Sequence, residues 1–182
     1  EVGMDERGAI CHFASGEVKG KLTIGPGTWQ ESIGTAPDGG TSRYLWTRKR
    51  VAPVEVDVTL PGGKRVRATM RGVEDESAGY HPRHTSWRWS AGVGTDVDGR
   101  EIGWNLVTGL NDPPSGSERA IWIDGEPVAE PGPVSFDGLD AIDFDSGARL
   151  EFTKESERAH DENKGIFRSR YRQPFGTFTG SL

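Results

Sequence analysis

The sequence has almost no cysteine, no long apolar run and no excess of positive charge. A single cysteine, Cys11, among 182 residues rules out an intramolecular disulfide. It points to a reducing compartment such as the cytoplasm, or to indifference to redox state. No apolar stretch approaches the roughly 18 residues of a membrane span, and no secretory signal is legible. Twenty-two Lys and Arg stand against 28 Asp and Glu, a net charge of −6. Such a balance lacks the basic patch that a nucleic-acid backbone binder needs. Helical periodicity is also nearly absent. The chain begins at Glu1 without a methionine, so a processed N-terminus and a longer native protein are expected.

Turn formers and tryptophan are what the sequence does hold. Its 26 Gly and 11 Pro spread along the whole chain, without collagen repeat or low complexity. Six Trp supply large apolar faces, either for a core or for a ligand platform. The length suits one domain over 1–182, able to bury most of its apolar surface without staples.

Period-two alternation between turn signals predicts hairpins. Val54, Val56 and Val58 alternate with polar residues, and Pro61-Gly62-Gly63 turns the chain. The implied register sets Val58 opposite Val66, Val56 opposite Ala68, Val54 opposite Met70 and Asp57 opposite Arg67. Asp98-Gly99 predicts a two-residue turn that pairs Val97 with Arg100. Trp87, Trp89, Ala91, Val93, Ile102, Trp104 and Leu106 then share an apolar face. Ser86, Arg88, Ser90, Gly92, Gly103 and Asn105 share the polar one. Asp124-Gly125 and Asp145-Ser146-Gly147 predict two more hairpins, the latter pairing Ile142 with Leu150. Strands are expected over about Gly165–Arg172 and Phe175–Gly180, and the charged stretch Thr153–Lys164 reads as a solvated loop. The sum is an all-β antiparallel protein of about ten to twelve short strands. Closure into a barrel would hide its edges, with a sandwich as the alternative.

Several clusters could carry chemistry. His81 and His84 have metal-pair spacing, but strand geometry sends them to opposite faces unless Pro82 turns the chain, and no full ligand set accompanies them; no metal is expected. Trp87 and Trp89 fit core packing on strand parity, while His84 and Arg88 project to the polar face. An arginine there can hold a carboxylate or carbonyl, and a histidine can move a proton near neutral pH. Asn105 leads into the loop LNDPPSGSE, where Asp112 and Glu118 are candidate acids or mere turn formers. Arg168, Arg170 and Arg172 share a strand face that needs acidic partners or an anionic ligand. The glycines match neither a P-loop nor a dinucleotide fingerprint, and no nucleophile elbow or HExxH is present. No cofactor is implied.

Three segments, AGYHPRHTSWRWSAG (Ala78–Gly92), GWNLVTGLNDPPSGSERAIWIDGEP (Gly103–Pro127) and RSRYRQPFGTFTG (Arg168–Gly180), together resemble the uncharacterised domain-of-unknown-function family 2804. The match is good from about Asp75 onward and looser over about Gly16–Gly72. The resemblance implies kinship with two-lobed, lipocalin-like (calycin-type) proteins such as carotenoid hydratases and AttH-like enzymes, which handle apolar molecules. It also implies that this chain is the C-terminal lobe of a longer protein.

Three readings follow. The first is a cofactor-independent hydratase, cyclase or isomerase of an apolar small molecule. His84, Asp112 or Glu118 would supply the proton, Arg88 and Asn105 would orient a polar group, and Trp87, Trp89 and Trp104 would enclose the rest; Arg168 and Arg170 are further binding candidates. The second is a non-catalytic carrier of a lipophilic ligand. The third is a structural lobe that needs a second lobe or a second copy.

Overall fold

A computed structural model describes residues 2–5, 8–35, 44–80 and 83–182. Fourteen strands among them are all paired antiparallel, in three sheets. The chain divides into two compact units, Glu1–Pro131 and Gly132–Leu182. No helix is long and apolar enough to cross a membrane among the described residues.

In the first unit, one sheet holds β1 (Val2–Asp5), β2 (Gly8–Ser15), β3 (Val18–Ile24), β4 (Gln30–Thr35), β5 (Tyr44–Thr59) and β6 (Arg65–Gly79). Strand β5 is its axis: β6 pairs along its full length, while β3 and β4 pair with its second and first halves respectively. A second sheet runs β10 (Glu126–Pro127), β9 (Ala120–Ile123), β8 (Glu101–Thr108), β7 (Arg88–Thr95). Val51 of β5 and Val73 of β6 pack on Ala120 and Trp122 of β9, so the two sheets meet face to face. Facing sheets bury their apolar sides against each other rather than joining edge to edge. The sheets are accordingly open, and the closed barrel expected from the sequence is not formed among the described residues.

The β5–β6 register matches the sequence reading at every predicted pair, from Val54↔Met70 to Val58↔Val66. The predicted β7–β8 register is one residue out. Val93 faces Gly103, Ala91 faces Asn105, and Trp89 faces Val107. The cause is a three-residue loop. Asp96 N–H donates to Arg100 O (3.0 Å), and Asp96 Oδ1 accepts from the Asp98 and Arg100 amides, both at 2.9 Å. A one-residue slip exchanges faces. Trp104 and Leu106 therefore share a face with Ser90 and Gly92, while Trp89 shares one with Asn105. Trp104 lies across Gly92, where any β-carbon would run into the indole, and its Nε1 donates to Ser90 Oγ at 3.1 Å.

The second unit is a single sheet of β11 (Val134–Asp137), β12 (Ala141–Phe144), β13 (Arg149–Asn163) and β14 (Arg168–Gly180), in that order. Ile142 pairs with Leu150 as predicted, and Gly147 takes the left-handed φ of 88° in the preceding turn. The segment Thr153–Lys164 is not a loop. It continues β13, paired with β14 through Asn163↔Arg168. Its alternation is hard to read because both faces of this ribbon are solvated, so neither face is marked by apolar side chains.

Candidate functional site

The strongest concentration of buried polar groups lies between the two sheets of the first unit. Residues 48–50 of β5, Arg-Lys-Arg, stand opposite Glu76, Asp75 and Glu74 of β6. Cross-strand pairs put opposite charges within reach, and all three bonds form. Arg48 Nε reaches Glu76 at 2.8 Å, Lys49 Nζ reaches Asp75 at 2.7 Å, and Arg50 Nε reaches Glu74 at 2.7 Å. Strand parity separates them. Arg48 and Arg50 lie on one face, stacked over the Trp29 ring at 4.2 and 4.4 Å from its centroid. Thr47, Lys49 and Val51 lie on the other, toward β8 and β9.

On that inner face Lys49, buried, bridges two acids: Asp75, and Glu118 at 3.0 Å. A chain of hydroxyls converges on the same carboxylate. Asn111 Nδ2 donates to Ser32 Oγ (3.2 Å), Ser32 and Thr47 share a hydrogen bond of 2.9 Å, and Thr47 bonds Glu118. With Thr47 donating to Glu118, Ser32 must donate to Thr47, so the relay has one direction. Asn111 takes a left-handed φ of 48°. It abuts Gly34, the position where a β-carbon would collide with the Asn111 amide. Among the described residues its buried Oδ1 has no partner.

The loop carrying Glu118 is held from within. Arg119, also buried, donates to the carbonyls of Asp112 (3.3 Å), Pro113 (2.7 Å) and Pro131 (3.4 Å). Glu130 accepts from the Gly116 and Ser117 amides and from the Ser117 hydroxyl. Glu118 N–H closes the loop on Asn111 O at 3.1 Å. Asn105, completely buried, then ties the loop to β7. Its Nδ2 donates to Glu118 O (2.9 Å), and its Oδ1 accepts from Trp89 Nε1 (2.7 Å).

Burial raises the Glu118 carboxyl above its ordinary 4.5, and the negative charge of Asp75 adds to this; Lys49 and the Thr47 hydroxyl oppose it. Desolvation disfavours the charged form of a carboxyl, and here it outweighs both partners. A carboxyl so placed can hold or release a proton closer to neutrality than an ordinary glutamate. Glu130 moves the opposite way. Its carboxyl is held low by the Ser117 hydroxyl and amide and the Gly116 amide, although burial pulls upward. It is a loop anchor with little tendency to protonate.

Of the residues singled out in the sequence, the structure brings together Glu118, Asn105 and Trp89. Asp112 belongs to the turn: its Oδ2 accepts from Gly109 N–H (2.8 Å) and Thr108 Oγ1 (3.2 Å). His84 and Arg88 are exposed. The expectation that Trp87 and Trp89 lie in the core is overturned: they are 54% and 42% exposed, whereas Trp104 is buried at 6%. The displaced β7–β8 register puts Trp89 on the face of Asn105, to which its Nε1 is bonded, and not on that of Trp104. Arg168 and Arg170 belong to the second unit. Arg168 meets Asp161 at 3.4 Å, and Arg170 stands opposite Asp161 in the ladder. His81 lies outside the described residues, so its pairing with His84 is not placed. Among the described residues, no three His, Cys, Asp or Glu side chains are grouped as a metal ion requires. The sequence reading missed Lys49, Asp75, Thr47 and Ser32. Extending the Val54–Met70 register back along β5 would have set Arg-Lys-Arg against Glu-Asp-Glu.

The first sheet also bears two shallow clefts on its outer stretch. One, of about 660 Å³, is lined by His12, Lys19, Lys21, Asp57 and Arg65 among others. The second, of about 470 Å³, is lined by Lys21, Glu55, Arg67 and Thr69 among others. Neither includes a residue of the Glu118 cluster. Asp57 is bound there by Arg65 at 2.6 Å and Arg67 at 3.2 Å.

These features define an all-β antiparallel protein with a buried, charged polar cluster between two stacked sheets. The chain belongs to the family described as domain of unknown function (DUF2804), whose model matches residues 8–182. No curated protein and no solved structure matches it.

Proposed function

We propose that the protein binds an apolar small molecule bearing one polar group, and that Glu118 exchanges a proton with that group without a cofactor, as in a hydration, cyclisation or isomerisation. The observation that carries this reading is the hydrogen-bonded line from exposed Trp89 through buried Asn105 to the Glu118 segment. It ends on the backbone carbonyl of Glu118, the residue whose side-chain carboxyl has its affinity for a proton raised by burial. Trp87 and Trp89 offer exposed aromatic faces for an apolar body and for positive charge developing in it. Lys49 and Thr47 hold the Glu118 side chain in place, which is what a proton-transfer group requires. Asp112 is left out because its carboxylate is spent on the Gly109–Asp112 turn.

A non-catalytic carrier, lipocalin-like in role, is the second reading. It is favoured by the double engagement of Lys49, which balances both buried acids internally. Native mass spectrometry of the protein purified from its own host separates these outcomes. A retained small-molecule adduct is expected on the wild-type chain and should fall about tenfold or more in Trp87→Ala/Trp89→Ala, the loss of roughly one buried aromatic contact. In Glu118→Gln the adduct should persist as unconverted substrate if the protein is an enzyme, and unchanged in mass if it is a carrier. A bare wild-type mass overturns both readings.

A further inference from the structure

The far end of the β13–β14 hairpin is built unlike the rest of the molecule. Strand β12 pairs with β13 only over Asp143↔Arg149 to Ala141↔Glu151. Beyond Thr153 the ribbon is two-stranded, out to Asn163↔Arg168. The turn closes on Lys164 N–H to Phe167 O (2.8 Å), with Gly165 at a left-handed φ of 77°. Glycine at the first of two central positions is what a tight hairpin turn of this hand needs. The second central position holds Ile166, fully exposed at 103%, followed by Phe167 at 57%. Water-facing isoleucine and phenylalanine at the extreme end of an arm lose apolar contact for nothing the chain itself supplies.

Cations surround this tip. Lys164, Arg168, Arg170 and Arg172 lie within nine residues, with no acid between Asn163 and Arg172. Beside the turn Glu162 meets Lys164 at 2.9 Å, and diagonally across the ladder Asp161 meets Arg168 at 3.4 Å and Glu157 meets Arg172 at 2.8 Å. Those pairs are exposed, and exposed pairs hold their partners weakly. The three cations in them thus stay available to a denser array of negative charge. Tyr171, part-exposed on the opposite face of the ribbon and stacked near His160 at 5.5 Å between centroids, adds an amphipathic ring of the type found at membrane interfaces.

We infer that the Lys164–Arg172 tip docks on an anionic lipid surface, Ile166 and Phe167 entering the headgroup–acyl boundary while Lys164, Arg168, Arg170 and Arg172 meet lipid phosphates. Apolar side chains flanked by cations bind such surfaces by burial plus charge attraction. The attraction is screened over about 8 Å at physiological salt. The local charge, opposite in sign to that of the acidic chain as a whole, selects an anionic bilayer over a neutral one. This association is peripheral, and it does not depend on the Glu118 site.

The test is co-sedimentation of the full chain with phosphatidylglycerol-rich vesicles and with pure phosphatidylcholine vesicles, at low and high salt. Partitioning to the anionic vesicles at low salt should exceed that to the neutral ones by tenfold or more, because each basic residue near the surface contributes about fivefold. Ile166→Ser/Phe167→Ser should lose about tenfold or more, and Arg168→Gln/Arg170→Gln should lose most of the lipid preference. Both variants change exposed side chains and should keep the wild-type circular dichroism. Equal binding to both vesicle types, no binding to either, or binding untouched by the tip variants overturns the inference. So does tip-dependent dimerisation in sedimentation velocity without vesicle binding, which would assign the arm to a second copy of the chain.

Discussion

Lys49→Met is expected to destabilise the protein by about 3 kcal/mol in urea unfolding at neutral pH, because breaking a buried pair strands its partners. Lys49 Nζ is the shared partner of Asp75 and Glu118. Its removal leaves two carboxylates facing each other across the inter-sheet layer. Asp75 retains about a third of its side-chain exposure and regains water, while Glu118, at 8%, cannot. The penalty therefore falls on Glu118, which escapes it by taking up a proton. The destabilisation should shrink as pH is lowered. Arg67→Met, which removes the same kind of charge from an exposed pair with Asp57, is expected to cost nothing measurable. A Lys49→Met protein as stable as wild type at neutral pH would mean the cluster is hydrated and the burial argument is wrong.

Trp122→Ala is expected to cost about 3–5 kcal/mol, the range for truncating a buried aromatic. Trp122 is fully buried among Val51, Ala120 and Val73, and its Nε1 reaches Thr28 O at 3.4 Å. With Val51 against Gly103, it helps seat the second sheet on the first. The spacing of the Lys49–Glu118 pair depends on that seating, so urea unfolding should show the loss, and the Glu118 titration should shift with it. A loss under about 1 kcal/mol, below the usual span for such truncations, would show that the sheets are held together elsewhere.

How much of this was legible depended on whether a strand's two faces differ chemically. The Val54–Met70 hairpin has one apolar and one charged face and a Pro-Gly-Gly turn, and its register was readable to the residue. The β7–β8 hairpin has small and aromatic residues on both faces, so only the loop could set its register. Asp96, by capping that loop with its own carboxylate, moved the pairing by one. Thr153–Lys164 gave no alternation because water lies on both sides. Within the site, Asn105 and Glu118 were visible as polar residues beside an apolar strand. Lys49 and Asp75 were not, because a charged run reads as solvent-facing until its cross-strand partner is known. The open sheets were equally out of reach: nothing local in a strand says whether its edge will meet another edge.

Whether Glu118 is a buried carboxyl with raised proton affinity is measured directly by an NMR titration of its side-chain carbon, assigned with Glu118→Gln. The native protein is expected to show a midpoint above the ordinary 4.5, and Lys49→Met, which removes the opposing charge, should raise it further. The sign for stability follows. Between 4.5 and the raised midpoint the folded chain binds a proton that the unfolded chain has released. Glu118's contribution to stability is therefore largest at low pH and is lost as pH rises through that window. A midpoint at or below 4.5, unmoved by Lys49→Met, would contradict the account.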